Sequence, residues 1–271
     1  MKLAYPIATP EVSKSMMSFC GDFKQNIANI KAIGYCALEL IVRDPEEMDK
    51  SSICRMIDQS GLKVAALGCG PAAFEDGLTL LNPDKRVRER ALTRAMEIVN
   101  FASIWGAPVC IGKYRGQLWT SREKEAMQVL SEAVMKIAAF AEKKGVQILM
   151  EPQNKSNLNS LNTTAETVSW IEYSHIPNTG ILYDTFQGNL AEVSVGAGIL
   201  NAKGKIGFVH CSDSGRNPPG TGNISISDAL AVLKSTGYDR YLSMEISQRP
   251  DSFTAAELAY KSVSYILNYI I

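Results

Sequence analysis

Short apolar runs of about five residues alternate with longer amphipathic stretches along the whole chain. The runs are Leu3–Ile7, Ala37–Val42, Lys63–Leu67, Pro108–Gly112, Val146–Met150, Gly180–Asp184, Ile206–His210 and Tyr241–Glu245. Each is too short for a helix and nearly uniform in apolarity, which predicts a parallel strand buried on both faces. The stretches between them carry helix signals. Phe23, Ile27, Ile30 and Ile33 form a stripe after Asp22, with Gln25 three residues on as a capping box. Met127, Leu130, Val134 and Ile137 do the same after Thr120 and Glu123. Thr163 with Glu166, and Ser225 with Asp228, open two more helices, and Glu46–Ser60, Asp84–Trp105 and Thr254–Asn268 are three others. Gly188–Leu200 is the weakest helix, because Gly188, Gly196 and Gly198 interrupt it. Gly34, Gly61, Gly106, Gly145, Gly204 and Gly237 each close a helix just before a strand.

Eight strict βα alternations imply a parallel sheet with helical crossovers. No Gly-x-Gly-x-x-Gly turn follows any strand, which favours a closed barrel over an open dinucleotide-binding sheet. The 271 residues suit one (β/α)8 TIM barrel of about 250 residues, read here as a single domain over 1–271.

Chemistry gathers at the ends of the last four strands. Glu151, Asp184, His210 and Glu245 end them in turn, spaced by roughly 30 residues, the length of one βα unit. A barrel puts such positions on one arc of its C-terminal mouth. Three carboxylates and one imidazole suit a single divalent ion, Mn2+ first, with Mg2+, Co2+ or Zn2+ as alternatives.

The runs Met150-Glu-Pro-Gln-Asn154, Leu182-Tyr-Asp-Thr-Phe186, His210-Cys-Ser-Asp213 with Arg216 and Pro219-Gly-Thr-Gly222, and Ser243-Met-Glu245 resemble the xylose-isomerase-like TIM barrels. Within these, the sugar phosphate isomerases and epimerases, including the D-tagatose/D-psicose 3-epimerases, are most similar. The resemblance implies that Glu151, Asp184, His210 and Glu245 bind a divalent metal. It further implies that Glu151 and Glu245 form the acid/base pair and that Arg216 holds a substrate oxygen. The expected reaction is isomerisation or epimerisation of a sugar or sugar phosphate, by proton transfer between the two glutamates through an enediolate. A dehydratase acting on an inosose or dehydroshikimate-type ring would use the same first step. Where the epimerases carry a substrate-contacting His after the strand-6 Asp, this chain has Gln187. Where they carry an Arg and a Glu in the strand-5 loop, it has Lys155 and Asn157. Gln187 and Asn157 are therefore expected to meet a substrate hydroxyl.

Other residues keep two readings. Lys113 and Arg115, after strand 4, would bind a substrate phosphate or stand as solvated loop charges. Glu39 would line the site or pair inside the barrel. Asp213 would support the metal or cap its loop. Tyr5, Trp119 and Phe186 would wall the pocket or simply pack. His175 lies far from the strand ends. Formal net charge is zero, with 28 basic and 28 acidic residues, which gives no electrostatic footprint for nucleic acid. With only His175 and His210 as imidazoles, the chain is poorly supplied for the polynuclear zinc site of an apurinic endonuclease. A metal-binding module without turnover is the remaining alternative. Six cysteines without a C-x-x-C pair suggest free thiols. No signal-peptide core or membrane-length apolar run is seen, so a cytoplasmic enzyme with a small carbohydrate as partner is expected. Assembly into a homo-oligomer is left open.

Overall fold

The computed structural model describes residues 1–14 and 17–271. Eight strands, β1 (Lys2–Ala8), β2 (Ala37–Ile41), β3 (Lys63–Gly68), β4 (Val109–Ile111), β5 (Ile148–Met150), β6 (Thr179–Asp184), β7 (Ile206–His210) and β8 (Tyr241–Ser243), pair in sequence order and close into a barrel. All pairings are parallel, and β8 returns to β1 with Leu3 opposite Leu242. The (β/α)8 barrel expected from the alternation is the observed fold.

The helices are α1 (Phe23–Ile33), α2 (Lys50–Ser60), α3 (Gly70–Phe74), α4 (Lys85–Ala102), α5 (Glu123–Glu142), α6 (Thr164–Tyr173), α7 (Thr185–Ala191), α8 (Val195–Asn201), α9 (Ile226–Ser235) and α10 (Ser252–Tyr269). Their apolar stripes pack on the outward side chains of the strands, burying Leu38, Leu40, Ile53, Ile57, Ile98 and Val134 in one continuous core. The barrel interior holds a separate small cluster that includes Ala4, Ala37, Ala66, Cys110, Leu149, Leu182 and Phe208. The six helix-closing glycines all have positive φ. No helix among the described residues is long and apolar enough to cross a membrane.

Four local expectations need correction. Thr120 does not cap α5. A turn from Trp119 to Arg122, with Arg122 N–H donating to the Trp119 carbonyl at 2.9 Å, separates them, and the helix begins at Glu123 without a side-chain cap. Ser225 opens α9 as expected and stands at its N-cap, but its hydroxyl makes no cap bond and donates instead to Asp228 Oδ2 at 2.6 Å. The expected helix from Glu46 is broken at extended Met48, and α2 starts after Asp49, whose carboxylate accepts from Ser52 N–H. Gly188–Leu200 is two short helices, α7 and α8, parted before Ser194, whose hydroxyl accepts from Ala197 N–H. The glycines there make room rather than merely weaken a helix. A Cβ on Gly188 or Gly198 would collide with the Tyr183 hydroxyl, which donates to the Val195 carbonyl at 2.8 Å.

Candidate active site

Strand alternation builds the site. Leu149, Leu182 and Phe208 point into the barrel, so the residues two further on, Glu151, Asp184 and His210, share that face at the C-terminal mouth. The register sets Asp184 beside His210 and His210 beside Ser243. Glu245 follows two residues later. One ligand atom from each of Glu151, Asp184, His210 and Glu245 lies within 4.8 Å of the others. From His210 Nδ1 the distances are 3.3 Å to Glu245 Oε2, 3.8 Å to Asp184 Oδ2 and 4.0 Å to Glu151 Oε1.

The donor set fits a divalent cation. His210 Nδ1 is buried without a directed hydrogen bond, and Asp184 Oδ2 has no partner beyond its ion pair with Arg216; native proteins rarely leave a buried polar atom such as Nδ1 unanswered. The other imidazole nitrogen is occupied: His210 Nε2 lies 3.0 Å from Glu39 Oε1, and Glu39 Oε2 accepts from the Ser243 hydroxyl at 2.6 Å. A carboxylate there can only accept, so Nε2 carries a proton, and Nδ1 is the nitrogen that faces the three carboxylates and would give its lone pair to a bound metal.

The carboxyls sit in unequal fields. Burial, then the charges of Glu245 and Asp184, push Glu151 up to about 8. Burial also acts upward on Asp184, but Arg216 and His210 outweigh it and hold that carboxyl at about 2. Glu245 is likewise carried below its ordinary value by His210 and Arg216 against burial. For His210, burial acts downward, and the charges of Glu245 and Glu39 overcome it and raise the imidazole well above its usual range.

Arg216 closes one side. Its Nη1 lies 2.6 Å from Asp184 Oδ2 and 2.7 Å from Glu245 Oε2, and its guanidinium stacks on Phe186 at 4.6 Å. The loop that presents it is held by Asp213, whose carboxylate accepts from the backbone N–H groups of Ser214, Gly220 and Ile224 at 2.7–2.9 Å. The Arg216 carbonyl accepts from Ser247 N–H at 2.7 Å, tying this loop to the segment after β8.

With the fold and the cluster in place, comparison identifies the lineage. The profile of the family described as xylose isomerase-like TIM barrel matches residues 27–268. The chain belongs to this family. An L-ribulose 3-epimerase of Mesorhizobium japonicum is 30% identical over 234 residues, covering 85% of this chain and 77% of the relative. A D-psicose 3-epimerase of Ruminiclostridium cellulolyticum is 26% identical over 237 residues, covering 83% and 78%. A solved structure of L-ribulose 3-epimerase superposes with a TM-score of 0.80 at 25% identity, covering 97% of this chain and 94% of the other.

Not every residue singled out in the sequence reaches the centre of this xylose isomerase-like barrel. Arg115 is the clear correction. It is fully buried, and its guanidinium donates to the carbonyls of Gly112, Glu151, Ser160 and Leu161 at 2.7–3.2 Å. Burial brings it down to about 10. Rather than standing as a solvated loop charge, it clamps the end of β5 to the loop that follows. Lys113 stands with its Nζ 5.3 Å from the Phe74 ring centre, in a groove of about 400 Å³ that Asn157 also lines. Gln187 is buried among amides, its Oε1 accepting from Asn154 N–H and Nδ2 at 3.0 and 2.6 Å. Trp119 has the guanidinium groups of Arg88 and Arg122 at 5.1 and 5.2 Å from its ring and lines the same groove as Lys113. Tyr5 packs on Phe19 and Tyr35, with its hydroxyl bonded to Gln248. Asp213 is a loop cap, and His175 is exposed after α6. All six cysteines are free.

From the sequence, Glu39 kept two alternatives, and Ser243, Gln153 and Gly112 had no role. The role of Glu39 as partner of His210 had one signal, an acidic residue inside the apolar run Ala37–Val42. Ser243, the last residue of β8, and Gln153, in the loop after β5, had none, since single hydroxyl and amide side chains are common at such positions. Gly112 matters for a reason visible only in three dimensions: a Cβ there would collide with Glu151 Oε2.

Proposed function

We propose that this protein is a divalent-metal-dependent ketose epimerase that inverts the carbon next to the substrate carbonyl. The observation carrying this reading is the convergence of Glu151 and Glu245 on one cluster from β5 and β8, with β6 and β7 between them. Two carboxylates approaching from separated strands can serve opposite faces of one carbon. One takes the proton, the other returns a proton to the opposite face, and the configuration inverts. Glu151, Asp184, His210 and Glu245 hold the metal, with Mn2+ the first choice for one imidazole and three carboxylates. When bound, such an ion supplies Lewis-acid polarisation of the substrate carbonyl. Arg216 fixes a substrate oxygen beside Asp184 and Glu245, and Phe186 holds the guanidinium flat.

The 3-epimerase relatives support epimerisation over dehydration. A free sugar is favoured over a sugar phosphate because Arg115, one of two cations considered for a phosphate, is committed to backbone carbonyls. The test is to incubate the Mn2+-loaded protein with L-ribulose, D-psicose, D-tagatose and D-fructose and follow products by NMR. Appearance of the C3 epimer supports the reading. Loss of water to a deoxy product, or no change in any ketose, rejects it.

A further inference from the structure

Behind Glu151, four amide side chains form a buried chain whose orientation is set by backbone groups. The Asn154 N–H can only donate, and it donates to Gln187 Oε1 at 3.0 Å. That fixes Gln187 Nε2 as the end facing Gln153, which it meets at 3.1 Å. The atom of Gln153 that receives it must be an acceptor, so it is Oε1. Asn157 Nδ2 donates to the same oxygen at 2.8 Å. Asn154 is pinned independently, since its Oδ1 accepts from Ser156 N–H at 2.9 Å. Each amide flip is thus decided by its neighbour, starting from two backbone N–H groups that admit no alternative.

The consequence falls on the far end of Gln153. Its side chain is 3% exposed, yet its Nε2 donates to no described residue. That nitrogen is not sealed from solvent. It lies 3.2 Å from where a Cβ on Gly112 would stand, and Glu151 Oε2 borders the same spot. A nearly buried amide NH2 beside Glu151, without a protein acceptor, is a donor kept for a ligand.

We propose that Gln153 is a substrate-binding residue, donating its side-chain NH2 to an uncharged oxygen of the sugar beside Glu151. Gln187 and Asn157 are positioning residues that hold its carbonyl oxygen away from Glu151. The inference rests on the epimerase reading and deepens it by naming what reads the substrate's hydroxyl pattern. The cluster contains no charge, which suits a hydroxyl or carbonyl and not a phosphate or carboxylate, for which charge-assisted donors are stronger.

Three variants test it: Gln153→Leu, Gln187→Glu and their combination. Removing Gln153's donor should lower kcat/KM about tenfold on the best ketose, the size of one neutral hydrogen bond, chiefly through KM. Gln187→Glu keeps an acceptor for Asn154 N–H but presents a second oxygen to Gln153, whose amide must then turn its oxygen towards Glu151. It should lose about as much, and the double variant should be no worse than Gln153→Leu alone, because both changes remove one interaction. Mn2+ affinity should stay at the wild-type value in Gln153→Leu, which changes no charge. Gln153→Leu within about twofold of wild type, or fully additive losses, would overturn the proposal. A structure of the Mn2+-loaded protein at a resolution that shows amide hydrogens decides the matter without turnover: Nε2 towards Glu151 supports it, Oε1 towards Glu151 overturns it. Should the wild type turn over no ketose, the epimerase reading fails, and the amide orientation still judges this inference.

Discussion

Replacing Glu39 by Gln removes one charge from behind His210 and little else. Glu39 is fully buried, with one oxygen 3.0 Å from His210 Nε2 and the other accepting from Ser243 at 2.6 Å. An amide keeps an oxygen to accept from Nε2–H, and its NH2 can donate to the Ser243 hydroxyl, which also accepts. Packing is preserved while the imidazole loses the anion that makes Nδ1 a stronger donor. Changes behind a metal-ligating histidine cost about 10–100-fold in affinity. Charge-assisted hydrogen bonds are roughly twice as strong as neutral ones, so Glu39→Gln, which keeps the bond and loses the charge, belongs near the tenfold end. Glu39→Ala should approach a hundredfold, and it leaves the buried Nε2–H without an acceptor, which costs about 1–3 kcal/mol of stability. Titration of the free Mn2+ signal by electron paramagnetic resonance gives the affinity, and melting of the metal-free protein gives the stability. The expected pattern is weaker binding in both variants, with a lowered melting temperature in Glu39→Ala alone. If both bind Mn2+ within about twofold of wild type, Glu39 merely fills the barrel and the orientation argument for His210 is wrong.

Metal binding should release protons. Glu151 lies near 8 and His210 well above its ordinary value, so protons compete for both ligands near neutrality. Affinity should rise with pH up to and through about 8, by up to tenfold per unit for each proton released. Calorimetry in buffers of different ionisation enthalpy checks this, and an affinity independent of pH and buffer would refute it. Arg216→Ala should raise KM and lower kcat together, because the guanidinium both binds and orients; unchanged steady-state kinetics would assign Arg216 to its loop. Gly112→Ala should push the Glu151 carboxylate aside and cost about 100-fold in turnover, the scale of a 1 Å misplacement. Full activity in that variant would show that Glu151 need not stand where it does.

The sequence made the barrel legible because its periodicities are strong and local. A five-residue apolar run, a helical stripe and a closing glycine are each set by neighbours in the chain, and eight repeats leave few architectures. The convergence of Glu151, Asp184, His210 and Glu245 was legible for the same reason, since strand ends in a parallel barrel share one mouth. What escaped depends on contacts across the fold. Arg115 looks like a loop cation, and only the turn after β4 carries it inward to the carbonyls of Glu151, Ser160 and Leu161. Gln187 looked ready to meet substrate, but its oxygen is taken by Asn154. Thr120 and Ser225 satisfy the capping pattern without making its side-chain bond, because a turn separates Thr120 from α5 and Asp228 takes the Ser225 hydroxyl at the N-cap of α9.

The central claim is that Glu151 and Glu245 move a proton on and off one carbon next to a carbonyl. Incubating the Mn2+-loaded protein with L-ribulose or D-psicose in D2O and reading the sugar by NMR tests it directly. The account predicts deuterium at C3 of the epimer, with Glu151→Gln and Glu245→Gln each reducing epimer formation about 100-fold or more. Epimer formed without solvent deuterium, or either variant keeping more than roughly a tenth of the wild-type rate, would contradict it.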